Sequence, residues 1–250
     1  MTSLNEKWLS LFKDNYEIAE KFLVDPKIDT AVKTFGVDTS TIRAMPSGND
    51  DISPLYDIFC EWAKTQDCSL GIESTGDTNT PRVEGASISV DALTQDFNNW
   101  HHGLAESLSK YWSDKMQDVE AGTRINKDNE EYQRKQTKEL NTAHKYKLVD
   151  LYVRGLRLRV PHNSSIYNAV LENANIPLDK KSIAVIEAFL GNPPRKTTMG
   201  DIKDEETYRM YQDHAKDICE QVRLTSGKPA SKLVLDAFAW HNPEAQKLYE

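Results

Sequence analysis

The chain has 250 residues, 38% hydrophobic and 28% charged, with a net charge of −8. That balance supports a packed core and excludes a disordered chain, and the length suits one large domain or two small ones. Every apolar run is far shorter than the roughly 18 residues that a membrane-spanning helix needs, so no membrane partner is expected.

Apolar residues recur mostly at spacings of three and four, the helical period. Leu4, Trp8, Leu11 and Phe12 open one stripe, which Tyr16, Ala19, Phe22 and Leu23 continue until Asp25-Pro26 stops the helix. A loop rich in Pro, Ser, Gly, Asn and Asp over 46–54 leads into a helix over about 55–65. Residues 69–85 carry Gly, Thr, Asn and Pro without periodicity. They read as a loop, with a minor β element expected near 68–90. The stretch 89–116 predicts a helix with Leu93, Phe97, Trp100, Leu104, Leu108 and Trp112 on one face. After a break at 122–129, a long helix is expected to about residue 158, polar first and apolar from Tyr146 on. Ser164 or Ser165 caps a helix to Asn173. Asp179 stands at the N-cap position of a helix over 180–190, which Gly191-Asn192-Pro193-Pro194 ends. A helix over about 204–225 and a short one carrying Leu233, Leu235, Asp236 and Trp240 complete the chain. The expected class is mainly α, with Trp8, Trp62 and Trp112 in the core. We divide it into an N-terminal helical lobe with an irregular loop, 1–123, and a second helical lobe, 124–250, interleaved as one globular unit.

The N-terminus lacks the basic-then-apolar pattern of a secretory signal. Cys60, Cys68 and Cys219 show no close metal-binding spacing, so we expect reduced thiols that fill the core, a cytoplasmic setting and no metal. The charge is uneven. Residues 124–181 hold 12 Lys and Arg against 7 Asp and Glu, a net of +5, which leaves −13 for the rest. An acidic chain with one basic region can hold a polyanion locally, because charges more than about 10 Å away are screened. Solvated lysine-rich helix faces account for the same numbers.

Three residue settings bear on chemistry. Lys147, in Lys147-Leu148-Val149-Asp150-Leu151-Tyr152-Val153-Arg154, shares a helix face with Leu151 and Arg154. At the edge of an apolar stripe its amine is either a nucleophile or a lysine snorkelling to water. Asp179, in Ile176-Pro177-Leu178-Asp179, is either a plain N-cap or a carboxylate set to work beside an amine. Asp236 and Trp240 lie four apart on one helix, so an acid beside an indole can wall a pocket for a planar base, or be a surface acid beside a core tryptophan. Trp100 is a second stacking candidate. The adjacent His101 and His102 face different ways and are expected at the surface.

In order and spacing, these three segments resemble the archaeal 8-oxoguanine DNA glycosylases, a branch of the helix-hairpin-helix glycosylases, over roughly residues 138–250. The resemblance implies a two-lobed helical architecture and removal of a damaged base from DNA. Lys147 would attack the sugar and form a Schiff base. Asp179 would assist as a carboxylate, and Asp236, Trp240 and Trp100 would hold the flipped base. Arg154, Arg157, Arg159, Lys180 and Lys181 are the candidates for phosphate contact. The implied partner is DNA, in a nucleoid-associated setting without cofactor or metal, with strand nicking as an added lyase step; the oligomeric state is left open, a monomer being favoured. The sequence departs from the family before Lys147, where 138–144 contains no glycine hairpin, and over 69–86, which has no counterpart. Two other functions are compatible with the residues: excision of a hypermodified phage base in anti-phage defence, and a non-catalytic helical module that binds DNA or protein.

Overall fold

A computed structural model describes residues 4–24, 35, 37, 41–42, 53–69, 94–119, 123–125, 131–133, 138–161, 164–192 and 198–249. The fold is mainly helical. Helix α1 spans Glu6–Val24, α2 Ser53–Ser69 and α3 Phe97–Lys115. A short antiparallel ribbon pairs β1, Thr123–Ile125, with β2, Glu131–Gln133, with Arg124 opposite Tyr132. Then come α4, Thr142–Leu156, α5, Ser165–Asn173, and α6, Lys180–Phe189. A 3-10 turn at Met199–Asp201 precedes α7, Glu205–Ser226, α8, Lys232–His241, and the single turn α9, Pro243–Gln246.

Side-chain caps set these boundaries. The side chains of Asn141, Ser164, Asp204 and Ser231 each accept a backbone N–H from the first turn of the helix that follows, satisfying donors that a helix cannot satisfy itself. Gly227, with φ of 70°, ends α7 in the left-handed conformation that glycine adopts without a steric penalty.

The long helix expected from about residue 130 is corrected. Its first part pairs as a strand, and α4 begins only at Thr142. Residues 130–139 lack an apolar stripe to bury, and a helix without packing is marginal. The β element expected near 68–90 and the loop at 69–86 fall almost entirely outside the described residues.

The core forms where α1 packs along α8 and onto α6, and α3 lies against α4. Phe12 of α1 sits 5.0 Å from Phe238 of α8 and 6.1 Å from Phe189 of α6, ring centre to ring centre. Trp8, Trp62 and Trp112 are buried as expected. Contacts between α1 and α8 and between α3 and α4 cross the division at residue 123.

Two expected phosphate contacts are overturned. Arg157 is buried and donates to the Leu23 carbonyl. Arg159 is buried between Phe35 and Tyr152 and paired with Asp67, which also accepts from the Tyr152 hydroxyl. Both arginines follow the last apolar turn of α4, where the chain curls back against the core. Replacing Arg159 with methionine is expected to lower the unfolding free energy by about 3–5 kcal/mol, because it leaves the Asp67 carboxylate buried without its cation. Denaturant melts read this directly, and a surface phosphate ligand would show no such loss.

Candidate active site

The face of α4 carrying Lys147, Leu151 and Arg154 meets two carboxylates. Lys147 Nζ lies 3.6 Å from Asp179 Oδ2, within ion-pair reach though longer than a direct hydrogen bond. Arg154 Nη1 donates to Asp236 Oδ2 at 2.8 Å. The stripe at i, i+4 and i+7 thus aims both cations at acids brought from α6 and α8.

Asp179 has two roles at once, one for each oxygen. Its Oδ1 accepts the backbone N–H of Lys181 at 2.8 Å and of Ser182 at 3.1 Å, capping α6. Its own N–H donates to Ser182 Oγ at 2.8 Å, closing a capping box. The other oxygen, Oδ2, is the one facing Lys147. The plain N-cap and the carboxylate beside an amine are the same residue, and the cap fixes where the second oxygen points.

The amine is enclosed. The Lys147 side chain is 13% exposed, and Met199 Sδ of the 3-10 turn sits 3.8 Å from Nζ. On the preceding turn of α4, burial first and the Lys147 charge second push the His144 imidazole below its ordinary range.

Asp236 is buried, and its Oδ1 has no hydrogen-bond partner among the described residues. Burial pushes its carboxyl up to about 6; Arg154 pulls against this, and repulsion from Asp179 adds to it. Between about pH 4 and about pH 6 the folded chain holds a proton that the unfolded chain has released. Folding stability therefore falls as pH rises through that window, by about 3 kcal/mol from this residue. Urea melts from pH 4 to 7 should show that Asp236→Asn removes this part of the slope. Burial also raises the Asp67 and Asp150 carboxyls, and those contributions remain in the variant.

Trp240 does not share the burial of Asp236. It lies near the end of α8, 38% exposed, with the Lys181 ammonium 3.6 Å from its ring centre. Lys181 also lies 5.2 Å from the Tyr249 ring, and the exposed Lys180 lies 5.4 Å from it. One indole face is therefore occupied by a cation. Trp100 of α3 is half-buried against the core, with the Phe97 ring centre 5.9 Å from its own.

Three residues behind the site escaped the sequence reading. Asp150, one turn along α4 from Lys147, is fully buried. It bonds His101 Nε2 at 2.7 Å and accepts from the Tyr208 hydroxyl at 2.8 Å. His101 is thus interior rather than at the surface, and its ring lies nearly parallel to those of Tyr146 and Tyr208. A carboxylate inside the run Leu148-Val149-Asp150-Leu151 is a usable signal, because a buried charge needs partners.

No family model, no curated protein and no solved structure matches this chain. No described helix is long and apolar enough to cross a membrane.

Proposed function

We propose that this chain is a DNA glycosylase that excises a damaged or modified base through a covalent lysine intermediate, in a helix-hairpin-helix-like two-lobed architecture. The observation that carries this reading is the 3.6 Å approach of the Lys147 amine to an Asp179 oxygen left over from helix capping. An enclosed amine beside a fixed carboxylate suits attack at a sugar carbon. Lys147 first releases its ammonium proton to water, and the neutral nitrogen then bonds to C1′ as the glycosidic bond breaks and the base leaves with its electron pair. Asp179 stabilises positive charge developing on the ring and accepts a proton from the attacking amine. Ring opening leaves an imine, and β-elimination of the 3′ phosphate nicks the strand.

The base must first leave the duplex, at a cost of a few kcal/mol. Asp236 Oδ1, buried and without a partner, suits an N–H on the edge of that base. Trp240 stacks the base once Lys181 swings off its face, and Met199 withdraws from the amine to admit the sugar. Lys180 and the displaced Lys181 are the phosphate contacts this scheme retains.

The test is base release by mass spectrometry on duplexes and genomic DNAs carrying oxidised, alkylated or hypermodified bases, followed by borohydride trapping. We expect a free base and a covalent protein–DNA adduct, with base release also lost in Asp179→Asn. A helical module that only binds DNA or protein would release no base from any substrate and bind its partner equally well after Lys147→Gln or Asp179→Asn.

A further inference from the structure

A groove of about 990 Å³ has a described lining that contains neither Lys147 nor Asp179. Its walls come from α1, the start of α3, α5, α7 and the α7–α8 turn, with Lys232 of α8 among the lining residues. The charged lining is Arg209, Lys216, Arg223 and Lys232 against Glu20, Asp96 and Glu172, a positive balance on a chain whose net charge is −8. The Lys232 amine donates to Asn175 Oδ1. Asn175 Nδ2 donates to the Tyr208 hydroxyl at 3.0 Å, and Tyr208 leads on to the buried Asp150. One end of this hydrogen-bonded chain is anchored in the core, and the other is Lys232, a residue of the groove lining.

We propose that Lys232 is a second reactive amine, and that the groove binds a small carbonyl compound bearing an anionic group and holds it as an imine on Lys232. An amine that served only as a counter-ion would be best left in water, where its charge is stable. Here burial pushes Lys232 down to about 8; Asp150 of α4 and Cys219 and Asp213 of α7 oppose that change, and Lys216 of α7 adds to it. A useful neutral fraction is then present near neutral pH. The neutral nitrogen adds to the carbonyl carbon, and the C=O electron pair moves to oxygen. A proton passes from nitrogen to that oxygen, water leaves and the imine remains, with no oxidant or reductant consumed. Lys216 and Arg223, both exposed on α7, supply the charge that favours an anionic group.

The inference does not rest on the Lys147 reading, and one experiment separates the two. The full chain is incubated with pyridoxal 5′-phosphate, an aldehyde bearing a phosphate, then reduced with borohydride and mapped by peptide mass spectrometry. Lys232 is expected to label at least about tenfold faster than exposed lysines outside the groove such as Lys203, since a neutral amine is the reacting form. Inorganic phosphate should slow it, and pyridoxal without its phosphate should react more slowly. Labelling should persist in Lys147→Gln. Lys232→Arg keeps the charge but should lose the label, with its thermal melt checking the fold. Labelling of Lys232 no faster than of exposed lysines overturns the proposal. Equal rates for pyridoxal and its phosphate overturn the anionic preference.

Discussion

Lys147→Gln is expected to abolish the borohydride-trapped adduct and to slow base release by on the order of 10³-fold or more, while the protein keeps its melting temperature within a few degrees. Under the proposed chemistry the rate loss follows from removing the nucleophile, since no second amine stands beside Asp179 Oδ2 among the described contacts. The small stability change follows from geometry. Lys147 contributes one 3.6 Å ion pair and a thioether contact, and glutamine retains much of its stem. The Asp179 cap survives because its donors are the backbone N–H groups of Lys181 and Ser182. Single-turnover assays with and without reductant measure base release and the adduct, and a thermal melt measures the stability change. Base release at the wild-type rate without an adduct would assign the chemistry to an activated water instead.

The second large effect lies behind the site. Asp150→Ala strips the acceptor from His101 and from the Tyr208 hydroxyl, both buried. Leaving such groups unpaired in the interior costs about 3–5 kcal/mol. In a chain of this size that corresponds to a drop in midpoint of roughly 6–20 °C. Asp150→Asn keeps one acceptor oxygen and should cost distinctly less. Because Asp150 joins α4 to α3 and α7, the alanine variant should also lose local hydrogen-exchange protection in α4. A loss below about 1 kcal/mol in the alanine variant would show that the network is not a structural tie.

Helix positions were legible because capping and periodicity are local. Asp179 before Lys180 and Ser164 before Ser165 each stand in the sequence where the structure places an N-cap. The two cations of the α4 stripe were legible too, since helical spacing alone puts Lys147 and Arg154 on one face. Their partners were not, because which acid meets which cation depends on how α6 and α8 pack. The fate of Arg157 and Arg159 was hidden for the same reason: nothing local distinguishes an arginine facing water from one folded back onto Asp67 and the Leu23 carbonyl. Trp240 and Asp236 share a helix but not an environment, since the end of α8 runs out from the core. The strand at 131–133 was missed because a polar segment without stripes carries no periodic signal for either state.

The divided carboxylate of Asp179 has a consequence for any scan of substitutions at that codon. Asparagine, serine and threonine can all begin a helix, so a screen that scores only folded yield would rank the position as permissive. A screen for the proposed base release would rank it as intolerant, because none of the three carries the negative charge offered to the neighbouring amine. Two fitness maps of one protein should therefore disagree most sharply at residue 179.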